Sequence, residues 1–367
     1  MSRTLARAFP PGDFLAEELN ERDWSQADFA AIIGRPAQLI SGIIAGKKEI
    51  TERTATQFAA ALGTSPEYWL NLQSSYQLWR ESQDPQAQAK LDTVKLRAEM
   101  SAYGSLTLLR RRGFIQSEDA RQQSVELREL LEIEHLGDDV PFLAAARRSN
   151  ANERATLPQT TWLACARSLA RRVDADAYDP EGLRSLAVAL TRRVRSGQDW
   201  IDLPQEFAKV GVRLVYVEAF PSNKISGVSF LLDGDKANPV IALSGLGKRF
   251  DKIMFTLLHE IAHLLLGHVT PDAFFIDEDE DSDDEREQAA DTQASQWALP
   301  LGNPSVPRSI RRPWVIQESE RQGVHPLIVI GTLQHQGHID WRSELVRGAE
   351  RVDNFLQKWG HTPDSIG

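Results

Sequence analysis

"FTLLHEIAHLLLGH", Phe255 to His268, decides how the rest of the chain is read. It is nearly all apolar, yet it carries His259, Glu260 and His263. Each of these groups, buried without a partner, costs roughly several kcal/mol. In a helix, residues four apart lie one turn apart on one face, so the imidazoles of His259 and His263 project together. That spacing suits two ligands of one tetrahedral Zn²⁺. Glu260, beside the first of them, stands where a general base reaches a water activated by the ion. Zinc is therefore the expected cofactor, and peptide-bond hydrolysis the expected chemistry. Phe255, Leu257, Leu258, Ile261 and Leu264 are expected to hold the helix rigid in a core.

A catalytic zinc wants a third protein ligand. His268 comes five residues after His263, past Gly267, whereas the metzincin pattern needs six. His268 is expected instead at the helix C-terminus, where a cation is favoured. The next helix, "REQAADTQASQWALP", supplies carboxylates. Glu287 is assigned as third ligand. Asp291, one turn on, is assigned to accept the free N–H of a ligand histidine, the reverse assignment being the alternative. Ala290, Ala294 and Ala298 recur every four residues and admit a close helix neighbour.

Upstream, "VRLVYVEAF", "KISGVSFLL" and "NPVIALS" read as strands, the last two joined by the turn "DGDKA". "KISGVSFLL" is expected to be an edge strand that pairs with a substrate backbone, or else a plain structural strand. Downstream, "WVIQESERQG", "HPLIVIGTLQHQG" and "SELVRGAERVDNFLQKWG" read as helices. The expected fold is mainly α with a small β-sheet. It divides into an N-terminal five-helix helix-turn-helix domain over 1–78, a helical middle region over 79–198, and an α+β zincin-like metallopeptidase domain over 199–367.

"NPVIALSGLGKRFDKIMFTLLHEIAHLLLGH", then "EQAADTQASQWALP", then "GVHPLIVIGTLQHQGHI", resemble the ImmA/IrrE family of zinc metallopeptidases over roughly residues 200 to 340. The resemblance implies His259, His263 and Glu287 as metal ligands and Glu260 as the catalytic residue. It also implies a protein substrate, a helix-turn-helix repressor or antitoxin. This sequence departs from the family's pattern in the long acidic insertion before Glu287.

Near the N-terminus, "SQADFAAIIGRPAQLISGIIAGKKEIT" has helix-turn-helix spacing. Ala30 is small near the centre of the first helix, Gly34 permits the turn, and Pro36 sits early in the second helix. The second helix of such motifs enters the major groove by its N-terminal end. Gln38 and Ser41 are presented outward on this helix, Arg35 and Gln38 are thus placed toward base edges, and Gln26, Lys47 and Lys48 toward phosphate. Residues 10 to 78, with "GKKEIT" and "ALGTSPEYWLNLQ" as the distinctive parts, resemble HigA-type antitoxins and Xre/Cro-like repressors. That implies an operator DNA partner and, since such domains bind as dimers, a homodimer. Residues 1–80 hold eight bases and nine acids, so charge leaves a protein-docking role open.

The composition, 41% hydrophobic and 26% charged, is that of a globular protein. One cysteine, Cys165, excludes an intrachain disulfide and a Cys-rich zinc cluster, and suits a reducing compartment. The N-terminus has no apolar signal region and no stretch is long enough to span a bilayer. A cytoplasmic protein without a membrane role is expected. Of the net charge of −10, −8 resides in "DEDEDSDDERE", Asp277 to Glu287. This run is expected to be a solvated loop because its charges repel, with gating of the zinc cleft as a second idea. Two functions are compatible with these signals. One is a zinc endopeptidase with its own DNA-binding domain. The other is an antitoxin-like transcriptional regulator in which the metallopeptidase part is a sensor or structural module.

Overall fold

The computed structural model describes residues 7–143, 146–148, 155–221, 224–271, 274–278 and 284–359. The chain forms two compact units, Met1–Lys95 and Leu96–Gly367. The first contains α1 (Pro11–Glu21), α2 (Gln26–Ile32), α3 (Ala37–Ile44), α4 (Glu52–Leu62) and α5 (Pro66–Gln83). Local chemistry sets their ends. Ser25 and Asp28 form a capping box on α2, and Thr51 and Thr54 form one on α4. Ser65 accepts from the Tyr68 N–H at the start of α5, just ahead of Pro66. Pro36 is the cap residue before α3, one position earlier than the sequence implies. Leu15, Phe29, Ile40, Phe58 and Trp69 are fully buried, each worth roughly 1.5–3 kcal/mol. Gly12 lets α1 lie against α3: a Cβ there would stand 2.4 Å from the Ile43 carbonyl oxygen.

Helix α6 (Pro85–Ser101) contains the boundary between the units, and the second unit continues through α7 (Leu106–Arg111) and α8 (Ala120–Leu131). Strand β1 (Ala146–Arg148) precedes α9 (Leu157–Ala170), α10 (Pro180–Arg193) and α11 (Leu203–Ala208). Then come β2 (Arg213–Tyr216), β3 (Ile225–Leu231), β4 (Pro239–Leu243), α12 (Phe250–Leu265), β5 (Phe274–Glu278) and α13 (Glu285–Ala298). Helices α14 (Arg312–Gln322), α15 (Pro326–His335) and α16 (Asp353–Leu356) complete the unit. The sheet order is β1-β5-β3-β4-β2; β3 is antiparallel to both neighbours, and β2 and β4 are parallel. Alternation along the strands splits the apolar residues between two cores. Leu214, Ile241 and Leu243 pack with α10, α12 and α13, whereas Val215, Val240 and Ala242 pack with α8 and α9.

Three expectations need correction. The helical middle region expected over 79–198 does not stand apart: its residues up to Lys95 belong to the first unit, and beyond them α9 and α10 cover opposite faces of the sheet and share cores with the strands β2 to β4. Strand β3 is not an edge strand, because the chain after α12 folds back as β5 and takes its free side. The acidic run is not a loop throughout. Asp277 and Glu278 close β5, while Asp284 caps α13 and Glu285 and Glu287 lie in its first turn, where the helix dipole favours acids. Residues 279–283, to which the loop and gating ideas also applied, lie outside the described residues. Among the described residues no helix is long and apolar enough to cross a membrane.

Candidate metal centre and nucleic-acid face

Helix α12 is fixed at its start by Arg249, which donates to Asp251 and to the Gln334 side chain on α15. Gly331 of α15 allows this approach, since a Cβ there would stand 2.6 Å from Asp251 Oδ2. On the other side α12 packs against α13, where Ala290 and Ala294 are fully buried. Small side chains draw the two helices close, and the polar groups meet there.

His259, His263 and Glu287 are all at most 5% exposed, and their ligand atoms lie within 4.8 Å of one another. His259 Nε2 is 2.9 Å from His263 Nε2 and 3.1 Å from Glu287 Oε2; His263 Nε2 is 3.5 Å from Glu287 Oε2. A tetrahedral ion with ligands at about 2.0–2.1 Å has ligand–ligand edges of about 3.3 Å, close to these three.

The outer partners set the tautomers. Asp291 Oδ1 is 2.8 Å from His259 Nδ1, so that nitrogen carries the proton and Nε2 turns its lone pair inward. His268 Nδ1 is 3.1 Å from His263 Nδ1. Burial above all lowers the His268 pKa, so a neutral His268 accepts from His263 Nδ1–H. Two lone pairs and a carboxylate thus converge with no proton between them. Glu287 Oε1 is also buried without a hydrogen-bond partner. This donor set fits a divalent cation of the zinc type, which would compensate both the repulsion and the orphaned oxygen.

Glu260 is 1% exposed beneath β3. Gly227 makes room for it: a Cβ there would meet Glu260 Oε1 at 2.9 Å and Thr256 Cγ2 at 2.7 Å. Two participants escape the sequence reading. His268 is not the α12 cap, a place taken by Leu266; Gly267, at φ +72°, turns the chain so that His268 faces back onto His263. Gly227 had a legible signal, since a glycine inside a β-branched run marks close approach.

In the first unit Gln26, Gln38, Ser41, Lys47 and Lys48 are exposed, on α2, on α3 and in the turn after it. Gln38 and Ser41 lie within the first two turns of α3. The Lys48 stem lies over Gly42. Arg35 differs: it is half-buried and its Nε donates to Gln57 Oε1 at 2.8 Å, which ties it to α4.

The family described as Helix-turn-helix matches residues 15–69. The uncharacterized HTH-type transcriptional regulator YddM of Escherichia coli K12 is 31% identical over 24% of this chain and 86% of its own length. Antitoxin HigA-1 of Vibrio cholerae is 33% identical over 24% of this chain and 86% of its own. A solved structure of Pseudomonas aeruginosa antitoxin HigA with the higBA promoter is 33% identical over 20% of this chain and 79% of that one, at a TM-score of 0.19. By these N-terminal residues the chain belongs to the helix-turn-helix family of HTH-type transcriptional regulators, with HigA-type antitoxins among its relatives.

Proposed function

We propose that this chain is an antitoxin-like transcriptional regulator that binds operator DNA through α2 and α3 and carries a zinc centre in its second unit. The family membership of residues 15–69 carries the DNA-binding part, supported by the exposed Gln38 and Ser41 near the α3 N-terminus. Gln38 reads a base edge; Gln26, Lys47 and Lys48 hold phosphate; a homodimer on a palindromic site is the expected assembly. Fluorescence anisotropy of the full chain on DNA from its own upstream region tests this. Binding no tighter than to random duplex, at the same salt, would overturn it.

The second unit supports a further reading, a zinc endopeptidase, on one observation: a buried carboxylate, Glu260, directly follows His259 in the helix that contributes two members of a converging His₂Glu donor set. His259, His263 and Glu287 would hold the ion, which supplies Lewis acidity toward a peptide carbonyl and an attacking water. Glu260 takes a proton from that water and returns it to the departing amine. Asp291 and His268 keep both ligand imidazoles in the right tautomer. The ImmA/IrrE resemblance points to a helix-turn-helix repressor or antitoxin as substrate. Incubation of the zinc-loaded chain with such a repressor encoded beside it, with mass spectrometry of the fragments, tests this. A repressor left intact would leave the centre a sensor or structural module.

A further inference from the structure

Strand β3 crosses α12 at Glu260, where Gly227 leaves no side chain between them. An extended peptide whose scissile bond is to reach Glu260 needs main-chain partners in this row of the sheet. One side of β3 is paired with β4, Gly227 opposite Leu243. The other side is already filled from within the chain: Gly227 stands opposite Asp277, Val228 opposite Ile276, and Ile225 opposite Glu278. We propose that β5 is an internal occupant of the peptide-binding side of β3, so that a substrate strand binds by displacing it.

The proposal rests on the peptidase reading of the centre and concerns its regulation. β5 runs antiparallel to β3 and satisfies the backbone groups an incoming strand would use. Access is therefore an exchange of strands, not an addition at an open edge. A segment tethered by a short connection competes at an effective concentration on the order of millimolar. Among the described residues β1 pairs with β5 from Phe274 to Ile276, and β3 pairs with it as far as Glu278.

The test uses the full zinc-loaded chain and a fluorescent extended peptide ending in a hydroxamate. Phe275→Pro with Ile276→Pro removes two consecutive N–H groups, one of which must face β3. Probe affinity is expected to rise about tenfold or more, and cleavage of unfolded casein to rise with it. Adding Glu260→Gln should abolish cleavage and leave the tight probe binding. Val228→Cys with Ile276→Cys gives the converse, since these opposite positions fall within disulfide reach. Oxidation should close the site to the probe, and reduction should reopen it. Equal probe affinity in wild type, proline variant and both redox forms would overturn the proposal while leaving the peptidase reading intact. Zinc bound one per chain, with neither probe binding nor cleavage in any variant, would remove the peptidase reading itself.

Discussion

Helices α2 and α3 and the turn after them hold Gln26, Gln38, Ser41, Lys47 and Lys48 out to solvent, whereas α12 and α13 enclose His259, His263 and Glu287 together with Glu260. Both regions are helix pairs with small residues near the contact, Ala30 in one and Ala290 and Ala294 in the other. They differ in where the polar groups go. Exposed groups keep their water until a ligand arrives, so their contribution is modest one by one and sensitive to salt. Enclosed groups have lost their water, so each must be compensated by a neighbour. In the second region the compensation is layered: Asp291 and His268 on the outside, the three converging donor groups within.

The sharpest way to break this contrast is Glu260→Gln. Loss of a general base costs roughly 10²–10⁴ in rate. Cleavage should fall accordingly, while zinc content by elemental analysis and operator affinity stay as in wild type. Full proteolysis by this variant would show that the enclosed region works by other groups. Asp291→Asn is the next largest effect. Weakening the partner of His259 Nδ1 should lower zinc affinity about 10–100-fold, read by competition with a chromogenic chelator. An unchanged affinity would mean that the enclosure alone orients the imidazole.

In the exposed region Gln38→Ala should cost about 1–3 kcal/mol at one operator position and relax sequence preference there. Lys47→Ala should weaken all duplexes alike and reduce the slope of log affinity against log salt by about one. If Lys47→Ala changed sequence preference and Gln38→Ala did not, the two roles would be exchanged. The smallest effect is Ser25→Ala. It removes the α2 capping box and should cost about 1 kcal/mol in the unfolding of the first unit, with zinc affinity unchanged. A chemical denaturation curve for residues 1–95 against one for the full chain measures it.

The first unit was largely legible in the sequence because its signals are local. Ser25, Thr51 and Ser65 announce helix starts, and Gly63, at φ +73°, ends α4. The candidate metal centre was legible in part. His259 and His263 meet because of helical periodicity alone, and Glu287 is a carboxylate on the next helix. The turn of His268 onto His263 depends on Gly267, and a search for helix caps reads that residue differently. β5 was missed because "FFIDE" leads into a run of acids that reads as solvated, and a strand partner about 50 residues upstream leaves no periodic trace. The helices α9 and α10 looked like a separate region because their apolar faces do not say which sheet they will cover.

Local spacing and capping chemistry by themselves determined the helix-turn-helix helices, the paired imidazoles of α12 and the alternation of β2 to β4. All of these arise from interactions within one or two helical turns or along one strand. Tertiary structure decided that β3 is flanked on both sides, that α9 and α10 take opposite faces of one sheet, and that His268 returns to the centre. Those outcomes depend on which distant backbone and apolar surfaces pair most favourably. Such pairing is set by the free energy of the whole fold, not by any one segment.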